Sequence, residues 1–227
     1  LEEGYASDNY KEYGIESSLN FPEFKFPFLT QAFKQRIRAT SEVGLKFNSQ
    51  LRPEFTRTLA SASWSYRWTD KLRSQHRFDL LDINYIYVPW KSNMFKQYLE
   101  NLTDRNSILI KSYEDQLIVR TGYTYTYNSA GNIKNTSRNS FTIRFNVEES
   151  GNLLNVASKL LHLKSNGENE YEIANIPFAQ YVKGDFDFAQ IIRIDNRNSL
   201  AFHVGMGIAY PYGNSKALPF EKRYFSG

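Results

Sequence analysis

Apolar and polar residues alternate with a period of two along most of this 227-residue chain. In TLASASWSYRW (58–68), Trp64, Tyr66 and Trp68 share one face with Thr58 and two alanines, and the opposite face carries Leu59, Ser61, Ser63, Ser65 and Arg67. The same rhythm recurs at 81–87, 119–127, 141–147, 182–194 and 200–210, and weaker strands fit 15–21 and 43–51. A β-strand directs successive side chains to opposite faces, so the pattern predicts an all-β protein whose strands each have an apolar and a polar face.

The connections between these stretches alternate in length. TDKLRSQ, NSAGNIKNTS and DNRNS are short and rich in turn residues, whereas residues 89–115 and 149–178 form long links. Each long link includes a helix-like stretch, NMFKQYLENL and NLLNVASKLLHL. Short turns at one rim and long loops at the other are typical of an outer-membrane β-barrel. The link after Phe21 is the exception, because it is fairly long and falls on the rim of the short turns.

Composition narrows the class of protein further. The mean hydropathy of −0.55 and the lack of a long apolar run exclude a transmembrane helix but not the alternating strands of a membrane barrel. With no cysteine, the chain has no disulfide, thiolate metal site or Cys nucleophile. A net charge of +4 is too small to indicate nucleic-acid binding. The chain does not begin with Met and shows no signal peptide, as expected of a mature protein or an excised piece.

Three features favour a membrane barrel over a soluble β-sandwich or a lipocalin-like barrel. The strands reach about ten residues, aromatic residues gather near strand ends, and charged residues occupy the middle of the polar face. The predicted membrane-interface aromatic residues are Trp64, Tyr66, Trp68, Tyr123, Tyr125 and Tyr127. The predicted polar residues facing a water-filled lumen are Arg120, Arg144, Asp185, Asp187, Arg193 and His203. A soluble barrel could also turn its polar face outward, so that alternative stays open.

The last part of the chain resembles a known family. The run GMGIAYPYGNSKALPFEKRYFSG looks like the region of BamA/TamA-type outer-membrane assembly factors, the bacterial surface antigen family, that leads into their long inward-folding loop. The lead-in residues are Pro219, Phe220, Glu221, Arg223, Tyr224, Phe225 and Gly227. The family's Val-Arg-Gly-aromatic signature, which follows this lead-in, is not in the sequence. GIESSLNFPEFKFPF, LDINYIYVP and ESGNLL…PFAQYVKGDFDF resemble earlier strands, so the resemblance spans most of the chain but is specific only in its last third.

The resemblance implies a fold and a function. Residues 1–227 would form about half of a transmembrane antiparallel barrel of sixteen strands, roughly strands four to eleven, without the periplasmic domains and the barrel ends. Such a barrel inserts proteins into the outer membrane without enzymatic chemistry, metal or cofactor. It opens at the seam between its first and last strands and templates strand addition there. The implied partners are the lipid bilayer, unfolded outer-membrane proteins and accessory lipoproteins or periplasmic proteins.

Other functions stay open at this point. A passive porin-like channel would use the polar face as a pore lining, and a two-partner secretion transporter shares the fold of the implied family. An outer-membrane enzyme would need a Ser-His-acid cluster, and none can be assembled from the sequence. His76, His162 and His203 are dispersed without metal-ligand spacing, and Asp185 with Asp187 could form an acid pair, a cation site or a plain lumen lining. The lead-in residues could equally be ordinary loop residues. The resemblance does not separate a BamA-like from a TamA-like role.

Overall fold

The computed structural model describes residues 10–26, 30–70, 73–101, 110–130, 139–163, 165–166, 170–195 and 197–224. Eight long strands form one antiparallel sheet. They are β1 (Lys11–Phe21), β2 (Thr40–Leu51), β3 (Phe55–Asp70), β4 (Ser74–Lys91), β5 (Gln116–Asn128), β6 (Ser140–Ser150), β9 (Tyr181–Arg193) and β10 (Ser199–Pro211). Each long strand pairs with the next long strand along the chain, so the order across the sheet is β1-β2-β3-β4-β5-β6-β9-β10. A separate two-stranded hairpin, β7 (Glu172–Ile173) and β8 (Ile176–Pro177), lies in the chain between β6 and β9. The predicted all-β fold and its eight long strands are therefore confirmed.

The register of the strands gives the sheet two distinct faces. Side chains directly opposite each other on antiparallel strands project from the same face. The apolar face contains the rows Ile15-Phe47-Ala60-Tyr85-Leu117 and Tyr125-Phe145-Phe186-Met206. The polar face contains the row Glu42-Ser65-Asp79-Gly122-Glu148-Lys183. Because the alternation continues from strand to strand, each face is uniform across most of the sheet.

The links divide between two rims, and the long links lie at one rim as predicted, but the three-residue link 52–54 after β2 is a short connection at that same rim. At the loop rim, the long links 92–115 and 151–180 follow β4 and β6. They contain the helices α2 (Asn93–Asn101) and α3 (Asn152–Leu160), which confirm the two predicted helical stretches. At the turn rim, short links follow β3 and β9, and the link after β1 is long and contains α1 (Gln31–Ile37). None of the described helices is long and apolar enough to cross a membrane.

The sheet is open in the part of the chain that the structure describes. Its edge strands, β1 and β10, do not pair with each other. Both strands present large apolar side chains to the surroundings, including Ile15, Leu19, Met206 and Ile208. An edge strand leaves a row of backbone donors and acceptors unpaired, so β1 and β10 can each accept a further strand.

Candidate functional site: the polar face

A cluster of charged side chains lies at the centre of the polar face. Arg120 on β5 donates to Asp82 (2.6 Å) and Asp79 (3.2 Å) on β4 and to Glu148 (2.9 Å) on β6. The Arg120 side chain is only 15% exposed. Glu148 also accepts a hydrogen bond from the hydroxyl of Tyr181 on β9 at 3.1 Å. Three carboxylates therefore share one buried guanidinium, whose fork of donors can bind several oxygens at once.

A β-bulge brings two of these carboxylates to the same face. The pairing of β4 with β5 shifts between Asp79 and Asp82, so Asp79 lies opposite Gly122 and Asp82 lies opposite Arg120. In a regular strand, residues three apart project from opposite faces, and a bulge removes that alternation by inserting one residue. The hydroxyl of Thr121 donates to the carbonyl oxygen of Leu80 at 3.1 Å within this bulge. Sequence alternation alone assigned Asp82 to the polar face and gave no signal for Asp79.

The chain beyond β10 turns back over the polar face, in a segment that we call the terminal segment (residues 212–224). Its first part is held at the loop rim, where the Asn214 side chain donates to the carbonyl oxygens of Tyr171 and Phe178, both at 3.0 Å. A 3-10 turn then spans Phe220–Lys222. The guanidinium of Arg223 closes this turn by donating to the Leu218 carbonyl oxygen at 2.8 and 3.0 Å. Of the predicted lead-in residues, those at 219–223 thus form a compact turn.

Side chains of the terminal segment reach three strands of the sheet. Glu221 forms an ion pair with Arg57 on β3. Lys222 Nζ lies 3.5 Å from Glu148 Oε1 on β6, so it joins the Arg120 cluster. Tyr224 donates through its hydroxyl to Asp185 and to the carbonyl oxygen of Gly184 on β9. Strands β3 and β9 are four steps apart, about 19 Å across the sheet, so the segment covers the middle of the polar face.

Tyr224 fits against a glycine of β10. A Cβ atom at Gly207 would overlap its ring, meeting Cε1 at 2.6 Å. The amino group of Lys183 lies 4.2 Å from the centre of the same ring, within the range of a cation–π contact. Burial, together with the hydrogen bond to Asp185, raises the pKa of the Tyr224 hydroxyl above its ordinary value. Burial likewise lowers the pKa of the Lys222 amino group, although Glu148 opposes this shift.

Apolar side chains occupy the polar face near the loop rim, which sequence alternation did not predict. Phe55, Ile86, Val88, Ile118, Ala179 and Tyr181 form a buried cluster there, and Leu59, Phe95, Tyr113 and Leu218 pack against it. Phe95 belongs to α2 and Leu218 to the terminal segment. The loops therefore close this end of the polar face with an apolar layer. The only indication of this layer in the sequence is that the alternation places three apolar residues, Leu59, Ile86 and Ile118, on the polar face.

The other predicted lumen residues are less tightly connected. Asp187 lies 3.1 Å from Nε2 of His203 on the polar face. Asp185 accepts a hydrogen bond from Asn146 at 2.9 Å in addition to the one from Tyr224. Arg144 and Arg193 are exposed, and no ion pair to either is present among the described residues. Among the predicted lead-in residues, Pro219 and Phe220 begin the 3-10 turn, and Phe225 and Gly227 lie outside the described residues.

A cavity of about 650 Å³ opens at the turn-rim end of the polar face. Four arginines line it, namely Arg38, Arg67, Arg77 and Arg144. Arg67 and Arg77 are direct cross-strand neighbours, and each is paired with an acid, Arg67 with Glu42 at 2.9 Å and Arg77 with Asp79 at 2.7 Å. Since like charges opposite each other are unfavourable, these acids stabilise the arrangement. Among the described residues no group of histidines and carboxylates is suited to a metal ion.

The predicted interface aromatics lie on the apolar face towards the turn rim. Trp68 stacks on His76 with 4.9 Å between ring centres, and the hydroxyl oxygen of Tyr123 lies 2.7 Å from Nδ1 of the same histidine. Tyr125 also packs against His76, at 5.2 Å between ring centres. His76 therefore organises this aromatic group, a role for which its isolated position in the sequence gave no signal. Tyr127 packs against Phe141 at 5.8 Å, and Trp64 packs against Tyr66 at 6.2 Å.

Tyr66 differs from the other predicted interface residues because it is covered by the chain itself. It is 1% exposed, and the ring of Phe24 packs edge-on against it at 4.7 Å. Its hydroxyl donates to the carbonyl oxygen of Lys25 at 3.1 Å, and Ser41 fixes the same segment by donating to the Glu23 carbonyl oxygen at 2.8 Å. The start of the β1–β2 link thus folds over the apolar face at the turn rim.

Comparisons with known proteins find no match to this chain among protein-family models, curated proteins or solved structures.

Proposed function

We propose that this chain is part of the barrel wall of an outer-membrane protein assembly factor of the BamA/TamA type, with the apolar face against lipid and the polar face towards an enclosed aqueous lumen. The observation that carries the proposal is the position of the terminal segment. The resemblance in its sequence implies the entry of an inward-folding loop. In the fold, that segment lies on the polar face and contacts β3, β6 and β9.

The exposed apolar face supports a membrane location. At least one large apolar side chain on this face is 40% or more exposed on each of β1, β2, β6, β9 and β10, including Ile15, Leu45, Phe145, Val182 and Met206. Soluble monomeric proteins rarely expose contiguous apolar patches larger than a few hundred Å², and larger patches mark membrane or protein contacts. Strands of 11–18 residues are also long enough to cross the hydrocarbon core at the usual tilt.

The mechanism follows from the cost of unpaired backbone groups in lipid. An edge strand in hydrocarbon gains hydrogen bonds when it pairs with an incoming strand, so an edge in the wall can template the addition of a substrate strand. The described sheet would supply the firm part of the wall, which the Arg120 cluster cross-links over β4, β5 and β6. The terminal segment would anchor the inward loop to this wall. No covalent step, metal or cofactor is needed for such a process.

A reconstitution experiment tests the proposal against a passive channel. The full-length protein that carries this chain is placed in lipid vesicles, and an unfolded outer-membrane protein is added. An assembly factor accelerates folding of the substrate, measured by its band shift on unheated gels, without passing sugars in a swelling assay. Sugar flux without faster folding would instead establish the porin-like alternative.

A charge reversal connects the assay to the terminal segment. Glu221→Lys removes the pair with Arg57 and places two cations together, so we expect slower assisted folding. Glu100→Lys is the matched control, because Glu100 is exposed at the same rim on α2. Equal folding rates for the two variants would show that the position of the terminal segment does not contribute to assembly.

A further inference from the structure

The helix α3 directs polar side chains towards the protein and apolar side chains towards its surroundings, the reverse of a surface helix in water. Its polar residues Asn152, Asn155 and Ser158 face the rest of the protein, and Ser158 is fully buried. Three of its apolar residues, Leu153, Val156 and Leu160, are 63%, 58% and 73% exposed, whereas Leu154 and Ala157 are partly buried. A surface helix of a soluble protein has the opposite arrangement, with the apolar stripe against the core.

Hydrogen bonds fix this orientation. Asn152 accepts from the side-chain amide of Gln180 and from the hydroxyl of Tyr212, both at 2.9 Å. Asn155 donates to the side-chain oxygen of Gln180 at 2.6 Å. Gly151, just before the helix, has a left-handed backbone (φ 81°) and leaves no room for a Cβ against the carbonyl oxygen of Ala179. The helix therefore cannot roll to bury its leucines without breaking this network.

The partners of α3 place it on the apolar side of the sheet. Val182 and Tyr210 lie opposite each other on the apolar face of β9 and β10. Gln180 and Tyr212 are the next pair on the same face, just beyond the ends of these two strands, and the backbone N–H of Tyr212 donates to the Gln180 carbonyl oxygen at 3.1 Å. The exposed leucines of α3 thus continue the exposed row formed by Val182 (41%) and Tyr210 (65%), at the loop rim.

We propose that α3 lies in the interface of the lipid bilayer, with Leu153, Val156 and Leu160 inserted among the acyl chains next to the outer surface of the barrel. This inference rests on the proposed membrane function and names the lipid leaflet as the partner of this helix. A nine-residue helix is about 13 Å long, which suits a helix lying in the plane of the interface and not one crossing the membrane. Lys159, exposed in its last turn, is placed to contact lipid phosphates.

Depth-dependent fluorescence quenching tests the proposal. Residues 1–227 contain no cysteine, so single substitutions here can carry an environment-sensitive label once any cysteine elsewhere in the full-length protein is replaced. Leu153→Cys and Leu160→Cys report on α3, Met206→Cys on the apolar face of β10, and His203→Cys on the polar face of the same strand. The full-length protein is reconstituted with lipids brominated either near the headgroup or deep in the acyl chain, and its folding is checked by gel band shift.

We expect labels at 153 and 160 to be quenched mainly by shallow bromines, the label at 206 by deep bromines, and the label at 203 by neither. Quenching at 206 without quenching at 153 and 160 would overturn the assignment of α3 and leave the membrane barrel standing. No quenching at any position would overturn both. Self-quenching between α3 labels on different protein molecules, increasing with the protein-to-lipid ratio, would show that a second copy, and not lipid, covers the helix.

Discussion

Gly207 offers a sharp test of how the terminal segment is held, because a single methyl group there competes with the ring of Tyr224. In Gly207→Ala the new Cβ would meet Tyr224 Cε1 at 2.6 Å, so the ring must move. Moving it breaks the hydrogen bond to Asp185 and the contact with Lys183. The first contributes about 1.5–3 kcal/mol and the second about 0.5–1 kcal/mol.

The expected loss is near the lower end of that sum, because the ring is 47% exposed and water competes for both contacts. A loss of about 2 kcal/mol changes the equilibrium between docked and released segment about thirtyfold. Hydrogen exchange followed by mass spectrometry measures this change at the amides of Lys222 and Arg223, which are bonded within the turn. We expect their exchange to accelerate by up to that factor in Gly207→Ala.

Gly205→Ala is the matched control, on the same strand and the same face. A Cβ at Gly205 would lie 3.3 Å from Asp187 Oδ1 and 3.6 Å from His203 Cε1, which small side-chain movements can accommodate. Exchange of the turn amides should then remain at the wild-type rate. If Gly207→Ala also leaves their exchange unchanged, the contact of Tyr224 with the sheet does not hold the segment.

Three further predictions concern the cluster, the pH dependence of docking and the start of α3. Arg120→Gln removes the cation that three carboxylates share, and among the described residues it leaves Asp82 without an ion-pair partner, since Asp79 keeps Arg77 and Glu148 keeps Lys222. It should lower the free energy of unfolding by about 3 kcal/mol, measured by thermal unfolding in detergent, whereas Arg144→Gln should have little effect. Because the pKa of Tyr224 is raised in the docked state, its contribution is complete below the ordinary tyrosine pKa of about 10 and is lost as pH rises above it. Above that pH, hydrogen exchange at the Lys222 and Arg223 amides should therefore accelerate more in wild type than in Tyr224→Phe. The same pH dependence of exchange in both proteins would contradict the contact of the Tyr224 hydroxyl with the sheet. Gly151→Ala should destabilise by at least about 1 kcal/mol through its positive φ and the clash with the Ala179 carbonyl oxygen, and unchanged thermal unfolding would argue against the orientation of α3.

The strands could be predicted from sequence because their signal is local. Alternation at 200–210 and 182–194 identifies β10 and β9, and the short turn between them sets their pairing. The alternation also assigned Arg120, Asp185 and Asp187 correctly to the polar face. Parity is fixed by the backbone, so these assignments hold wherever a strand is regular.

The remainder of the site depends on contacts between distant parts of the chain. Asp79 joins Asp82 at Arg120 because of a bulge, which alternation cannot reveal. Tyr66 has the pattern of an interface aromatic, but the link containing Phe24 covers it. Leu59 is an apolar residue on the polar face, and its environment is explained only by Leu218 and the loops, which pack over the loop-rim end of that face. Each case involves a loop or an irregular pairing, whose position is set by tertiary packing.

The most direct test of the account concerns which face of the sheet meets lipid. Spin labels at successive single cysteines along β10, from 200 to 210, can be measured in the full-length protein in vesicles for collision with oxygen, which concentrates in lipid, and with a water-soluble nickel chelate. We expect opposite alternations of period two, with oxygen collisions favoured at 202, 204, 206 and 208 and nickel collisions favoured at 203, 205 and 207. Equal access of the nickel chelate to both sets would contradict it, because the apolar face would then lie in water.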